Sequence, residues 1–167
     1  MELYLLRHGV AESGGAGRPD AQRRLTDAGK EKLRQVLARA RSAKVAPSLI
    51  LTSPLVRAVE TARIAAQDLG YRGAIPETDA LLPSSTPAAT WRELRSHGEE
   101  AAILVAGHEP LLSELASFLL GTSRVVVEMK KGALARIDLE VSAGAPQGLL
   151  RWLITAKLAE GSSSPPF

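Results

Sequence analysis

Cysteine is absent from this chain of 167 residues. Its absence excludes disulfide bonds, cysteine-ligated zinc, iron–sulfur clusters and every thiolate nucleophile. The chain therefore cannot be a cysteine-dependent phosphatase or protease. Its length corresponds to about one domain. We expect residues 1–160 to form that domain and the polar, proline-ended residues 161–167 to be a disordered tail.

Long apolar runs and aromatic residues are also scarce. No run reaches the roughly 18 residues of a membrane span, and Glu2 is acidic where a signal peptide is basic, so we expect a cytoplasmic protein without a membrane partner. Aromatic residues make up 4% of the chain, and 21 basic residues are interleaved with 18 acidic ones for a net charge of +3. Nucleic-acid binding needs a basic patch with stacking aromatics, so we expect no nucleic-acid partner.

Aliphatic and β-branched segments alternate with helical periodicity along the chain, which is typical of an α/β fold. The pattern predicts strands at residues 2–6, 48–52, 74–78 and 102–106, and helices at residues 26–46, 53–69, 87–96 and 110–120. Three further strands, at residues 125–129, 133–140 and 149–154, are joined by short turns. The predicted architecture is a three-layer α/β sandwich with a mostly parallel central sheet, helices on both faces and an antiparallel C-terminal edge.

Capping residues mark the ends of several predicted helices. Thr26 is a good N-cap for the first helix. Ser53 followed by Pro54 has the pattern of an N-cap with proline at the first helical position. Gly70 and Gly121 are placed to end the second and fourth helices.

Three short motifs follow predicted strands, where open α/β sheets bind their ligands. These motifs are Arg7-His8-Gly9, Ser53-Pro54-Leu55-Val56-Arg57-Ala58 and Gly107-His108-Glu109-Pro110. Two of the chain's three histidines are thus expected to converge with two arginines in one crevice.

Such a cluster suits a dianionic phosphate. Arginine pairs bidentately with phosphate oxygens and keeps its proton, and helix N-termini add favourable dipoles. A neutral imidazole held in one tautomer can attack phosphorus and leave in a second step. His8 is the favoured nucleophile because Gly9 allows close backbone approach and can accept the ring N–H.

Each motif also has an ordinary structural explanation. A buried histidine is often a hydrogen-bonded core residue, and Ser-Pro after a strand often only caps a helix. The coincidence of all three motifs at strand ends favours the functional interpretation.

The motifs resemble those of the histidine phosphatase superfamily, and within it the small phosphohistidine phosphatases of the SixA type. The resemblance rests on Leu5-Leu6-Arg7-His8-Gly9-x-Ala11, Arg24-Leu25-Thr26-x-x-Gly29, Thr52-Ser53-Pro54-x-x-Arg57-Ala58-x-x-Thr61-Ala62 and Gly107-His108-x-Pro110. It implies that His8 is the nucleophile, that Arg7, Arg57 and His108 hold the phosphate, that no metal or organic cofactor is needed, and that the protein acts in signal transduction.

The general acid is the point at which the sequence departs from the mutase-type members. They carry a catalytic glutamate after the third strand, where this chain has Asp79-Ala80-Leu81-Leu82-Pro83. Glu109 stands where the acid-phosphatase branch has aspartate and is the first candidate, with Asp79 or Glu77 as the second. Glu109 could equally be a helix-end residue stabilised by the helix dipole.

The sequence predicts a phosphatase acting on phosphohistidine in proteins, or on another small phosphoester. A broad phosphatase or mutase for small metabolites is the alternative of the same class. A non-catalytic module that binds phosphorylated partners is the alternative of a different class. The sequence does not specify the physiological substrate or the oligomeric state.

Overall fold

The structure, a computed structural model, describes residues 1–15, 17, 19–140 and 145–160. The predicted tail, residues 161–167, lies outside them. The strands are β1 (Glu2–Arg7), β2 (Leu49–Thr52), β3 (Ala102–Gly107), β4 (Leu134–Glu140) and β5 (Gln147–Ile154). The helices are α1 (Asp27–Ser42), α2 (Val56–Leu69), α3 (Pro87–Ser96), α4 (Leu111–Leu119) and the short α5 (Ala156–Ala159). Single 3-10 turns cover Asp20–Gln22 and Asp79–Leu81.

The five strands form one mixed sheet in the order β2-β3-β1-β4-β5. Strand β3 pairs in parallel with both β1 and β2, whereas β4 runs antiparallel to β1 and β5 antiparallel to β4. The predicted α/β class, with a parallel centre and an antiparallel edge, is confirmed. This order brings the carboxyl ends of β1, β2 and β3 to the same edge of the sheet.

Helices cover both faces of the sheet. Along β1, Leu3 and Leu5 belong to the hydrophobic cluster that contains α3 and α4 residues, while Tyr4 and Leu6 belong to the cluster with α1, α2 and α5 residues. Neighbouring side chains of a strand point to opposite faces, so both faces of β1 are buried. Burial on both faces explains why the predicted parallel strands are continuous apolar runs rather than alternating ones.

Three of the predicted helix ends hold. The Thr26 hydroxyl accepts a hydrogen bond from the Gly29 amide, and Gly70 ends α2 with φ at 75°, a left-handed conformation that glycine adopts without strain. Gly121 directly follows Leu120, the C-cap residue of α4, and has φ at 70°.

The cap predicted for α2 is wrong. This helix begins at Val56 with Leu55 as its N-cap residue and no side-chain capping bond. Ser53 has a different role, described with the site.

Two predicted strands are absent from the described residues. Residues 74–78 make only an isolated bridge between Glu77 and Thr52, because Pro76 has no amide hydrogen to continue a ladder. Residues 125–129 form no strand, although they are rich in valine. Their carbonyls bond instead to side chains, with Ser117 Oγ donating to Val125 and Arg7 Nη1 donating to Met129.

None of the helices in the described part of the chain could span a membrane. Each helix there is too short or too polar to cross a bilayer.

Candidate active site

His8 and His108 lie side by side because the strands that precede them are paired. Arg7, the last residue of β1, is in register with Gly107, the last residue of β3. The two imidazole centroids are 5.0 Å apart, and the ring planes are tilted by 53°. Both histidines are buried. The pairing register therefore delivers two predicted site residues to one point.

The His8 ring is held in one tautomer. Its Nδ1 lies 2.7 Å from the carbonyl oxygen of Gly9, which can only accept, so Nδ1 carries the proton and the neutral ring has its lone pair on Nε2. Burial lowers the pKa of His8 to about 4, with smaller contributions in the same direction from Arg57, Arg7 and Lys131, while the Gly9 bond acts the other way. At neutral pH His8 is therefore an uncharged base.

The turn that carries His8 is packed tightly against two helices. The Gly9 amide donates to Thr61 Oγ1 at 3.2 Å, and the Thr61 hydroxyl donates to the Arg57 carbonyl at 2.7 Å. A Cβ on Gly9 would stand 3.3 Å from the carbonyl oxygen of Gly29, so a side chain there would crowd the backbone of α1. Thr61 thus connects the His8 turn to the first turn of α2, where Arg57 lies.

Ser53 pairs with His108 rather than capping a helix. The Ser53 hydroxyl lies 2.8 Å from Nε2 of His108, and it also accepts a weak bond from the Leu55 amide at 3.3 Å. The pKa of His108 is lowered to about 3, mainly by burial and also by repulsion from a protonated His8 and from Arg57, whereas Asp20 acts the other way. His108 is therefore also neutral at neutral pH.

Each of the two predicted arginines uses part of its guanidinium to donate hydrogen bonds to other residues of the protein. Arg7 Nη1 donates to the Met129 carbonyl at 2.7 Å. Arg57, 4% exposed, donates from Nη1 to the Asp20 carbonyl at 2.9 Å and from Nη2 to the Asp20 carboxylate at 3.1 Å. Burial lowers the pKa of Arg7, opposed by Glu109 and Glu128, yet an arginine keeps its charge.

Unpartnered buried atoms concentrate at this point of the molecule. Among the described residues, five buried side-chain nitrogens or oxygens lack a hydrogen-bond partner, and one of these belongs to Gln35. The other four are Arg7 Nε, Arg57 Nε, His108 Nδ1 and Glu109 Oε1. Buried polar atoms are normally paired because leaving them unpaired costs free energy. Their concentration therefore indicates a site for a polar ligand.

Glu109 lies at the rim of the same cluster. It is partly buried, its Oε2 accepts a hydrogen bond from Ser113, and its charge raises the pKa of Arg7. Glu77 and Asp79, the second candidates for the acid, are exposed. Across the described ranges, neither forms a hydrogen bond or ion pair with Arg7, His8, Arg57 or His108. Of the three carboxylates, only Glu109 is connected to the predicted cluster.

The charge of the site favours an anion over a cation. Two guanidinium groups stand beside two neutral imidazoles, and helix α2 starts one residue before Arg57. In the part of the chain that the structure describes, no three His, Asp or Glu side chains are grouped so that they could hold a metal ion. A phosphate-like anion matches the donors that are present.

The sequence does not predict the observed contacts of three residues around the cluster. Thr61 occurs in the quoted motif, and its fixed spacing of four residues from Arg57 was the available signal. Ser53 has the sequence pattern of a helix cap, which does not indicate its pairing with His108. Asp20 lies in a loop with no periodicity, so only the three-dimensional structure reveals its contact with Arg57.

Comparison with known proteins identifies the family of this chain. Residues 3–82 match the family model of the histidine phosphatase superfamily (branch 1). An uncharacterized protein of Picosynechococcus sp. is 32% identical over 136 residues, covering 80% of this chain and 82% of that protein.

Solved structures with the same fold include the protein histidine phosphatase SixA complexed with tungstate, with a TM-score of 0.83, 24% identity and coverage of 94% of this chain and 98% of that one. A putative phosphohistidine phosphatase SixA from Agrobacterium tumefaciens gives a TM-score of 0.79 at 20% identity, covering 92% and 97%. A putative α-ribazole-5′-P phosphatase from Escherichia coli gives 0.71 at 20% identity, covering 93% and 98%.

The matched residues 3–82 contain both the Arg7-His8-Gly9 turn and Arg57. The remaining member of the cluster, His108, follows the strand that pairs with β1. With the sequence match and the shared fold in agreement, this chain belongs to the histidine phosphatase superfamily.

Proposed function

We propose that this protein is a phosphatase that removes phosphate from phosphohistidine in proteins through a phospho-His8 intermediate. One observation carries the proposal. The Nδ1 proton of His8 is held by the Gly9 carbonyl, which leaves the lone pair on Nε2, and the two arginines of the same cluster each have an unpartnered buried Nε. A nucleophile and an anion clamp are thereby combined in one site.

The proposed reaction has two displacements. In the first, the Nε2 lone pair of His8 forms a bond to phosphorus, and the bond from phosphorus to the leaving atom breaks with its electron pair. In the second, a water oxygen attacks phosphorus and the P–Nε2 bond breaks. The water proton goes to solvent or to a nearby base, and His8 is returned neutral beside inorganic phosphate.

Arg7, Arg57 and His108 are the proposed phosphate-binding residues. The free edges of the guanidiniums would donate to the equatorial oxygens, where charge accumulates in the transition state. Neutral His108 can donate from one ring nitrogen while the other remains an acceptor. Because the donors are all protein groups, we propose that turnover needs no metal and no organic cofactor.

Glu109 is the proposed proton donor for basic leaving groups. An alkoxide leaving from a sugar phosphate needs a proton in the transition state. When the second ring nitrogen of phosphohistidine carries a proton, the leaving group is a neutral imidazole, whose conjugate acid has an ordinary pKa of about 6.5, so it leaves without a further proton from the enzyme. The exposed positions of Glu77 and Asp79 make them weaker candidates.

Two observations support phosphohistidine as the substrate. No inserted cap domain lies over the cluster in the described ranges, since residues 53–55 and 108–110 are three-residue connections into α2 and α4. The SixA structure also covers this chain with a higher TM-score than the α-ribazole-5′-P phosphatase does. A phosphorylated protein, met in the cytoplasm, is thus the proposed partner. The similarity to the α-ribazole-5′-P phosphatase supports the alternative, a small-metabolite phosphatase.

The test is a substrate panel measured with one preparation. It compares kcat/KM for a phosphohistidine protein, a phosphoserine peptide, sugar phosphates and phosphoglycerate, with His8→Ala as the blank for contaminating phosphatase. The proposal expects the phosphohistidine protein to be the preferred substrate. A preference for a sugar phosphate or phosphoglycerate would favour the metabolite alternative. Phosphate binding without turnover of any substrate would favour the non-catalytic module.

A further inference from the structure

Asp20 closes one edge of the Arg57 guanidinium. Nη1 and Nη2, the two terminal nitrogens, donate to the carbonyl and the carboxylate of this single residue at 2.9 and 3.1 Å. The remaining edge consists of Nε and the second hydrogen of Nη2, and its Nε is buried without a partner. Asp20 therefore occupies the edge of the guanidinium formed by Nη1 and Nη2, and it leaves the edge that contains Nε for a ligand.

The carboxylate of Asp20 is itself held in position. Its other oxygen, Oδ1, accepts from Arg23 Nε at 2.8 Å and from Nη2 at 2.7 Å, and Arg23 Nη1 donates to the Glu12 carbonyl at 3.0 Å. These arginine contacts keep the pKa of Asp20 below its ordinary value, with the Arg23 bond as the largest cause. Although Asp20 is 66% exposed, it is thus a fixed anion.

A carboxylate on a phosphate-binding arginine could act in two ways. It could compete with the phosphate for the guanidinium, or it could fix the guanidinium so that the free edge meets the phosphate. The observed contacts favour the second, because Asp20 occupies only the end edge. The side edge, which pairs bidentately with phosphate oxygens, is open at Nε.

We propose that Asp20 is a positioning residue that orients Arg57 for the phosphoryl group. This inference rests on the proposed function and deepens it, because it assigns part of the substrate affinity to a residue outside the cluster at the strand ends. Arg57 has several rotatable bonds, and a fork fixed in advance loses less entropy when it binds.

The experiment measures inorganic phosphate affinity by calorimetry and vanadate inhibition of p-nitrophenyl phosphate hydrolysis. Asp20→Ala is expected to weaken both by about 10-fold or more, in line with the cost of misplacing a binding group. Asp20→Asn keeps one acceptor oxygen and is expected to fall between Asp20→Ala and wild type. The matched control is Asp27→Ala, which removes an exposed carboxylate paired with Lys30, and it should match wild type.

A double-mutant cycle separates positioning from other roles. If Asp20 acts through Arg57, Asp20→Ala should cost nothing further in an Arg57→Ala background. Equal losses in both backgrounds would overturn the proposal, as would tighter phosphate binding by Asp20→Ala, which would indicate competition. An effect no larger than that of Asp27→Ala would overturn it too.

The outcome is separable from that of the proposed function. If wild type binds phosphate but His8 is not phosphorylated, the proposed function fails and the cycle still decides the role of Asp20. If wild type binds neither phosphate nor vanadate, both proposals are wrong.

Discussion

The imidazole of His108 lies against that of His8, with ring centroids 5.0 Å apart. Both rings are buried, and burial is the largest cause that lowers the pKa of each. Arg57 lowers the pKa of both. Each ring is therefore neutral in the folded protein at a pH where an ordinary histidine is half protonated.

The first prediction concerns stability against pH. The folded pKa values, about 4 for His8 and about 3 for His108, lie below the unfolded value of about 6.5, so the unfolded chain binds more protons between these limits. Stability is therefore complete above about pH 6.5 and declines as pH falls toward 4. Urea unfolding in phosphate-free buffer at about pH 7 and about pH 5 should show a loss on the order of 1 to 2 kcal/mol for each histidine.

His8→Ala is the control for this measurement, because it should lose less free energy of unfolding than wild type over the same pH interval. Equal losses in the two proteins would mean that His8 titrates normally in the folded state.

The second prediction concerns the shape of the Arg57 side chain. Lysine supplies the charge but cannot donate at once to Asp20 and to a phosphate oxygen along two edges. Arg57→Lys should therefore lose kcat/KM nearly as severely as Arg57→Ala, by about 10²-fold or more. Arg34→Lys, a surface change at the pair with Asp68, should leave activity unchanged. If Arg57→Lys retained most of the activity, Arg57 would contribute only its positive charge and not the shape of its guanidinium.

The third prediction concerns Glu109 and the leaving group. Glu109→Gln keeps the size of the side chain but removes the acid. It should cost little on phosphohistidine or p-nitrophenyl phosphate, and about 10² to 10⁴ on alkyl phosphates. The measurement is kcat/KM across leaving groups of graded pKa. An equal loss on every substrate would mean that Glu109 orients Arg7 or the substrate. No loss on any would leave it a helix-end residue.

The fourth prediction concerns the contact between α1 and the loop after His8. A Cβ on Gly29 would lie 2.2 Å from the Val10 carbonyl oxygen, so Gly29→Ala must push this loop away. We expect a loss of about 1 to 3 kcal/mol in the free energy of unfolding, together with lower activity. Gly15→Ala, which adds a Cβ with nothing within 4 Å, is the control and should be near neutral. Wild-type stability in Gly29→Ala would contradict the close packing.

Apolar patterning predicted the parts of the fold that depend on burial. The strand at β3 is fully buried, so its composition is dictated by the sheet and could be recognised from the sequence. Residues 125–129 have high β propensity. The two sides of β1 at which they could add a strand are, however, already paired with β3 and β4. Their backbone bonds to Ser117 and Arg7 instead, and such tertiary contacts override local propensity.

The site residues also divide into those that local sequence patterns predict and those that depend on tertiary contacts. The convergence of Arg7, His8, Arg57 and His108 could be predicted because each lies at or shortly after the end of a strand, and the ends of parallel strands meet at one edge. The partners that orient them could not be predicted in this way. Ser53 has the sequence pattern of a helix cap and Asp20 lies in an irregular loop, so their contacts depend on long-range packing.

The most direct test of the account is to trap the intermediate. Wild-type protein is mixed briefly with substrate, quenched in base, where phosphohistidine survives, and analysed by mass spectrometry of its peptides. We predict one phosphate on His8, formed and lost fast enough to account for turnover, and no turnover by a folded His8→Ala variant. A phosphate on serine, or full activity without His8, would contradict the account.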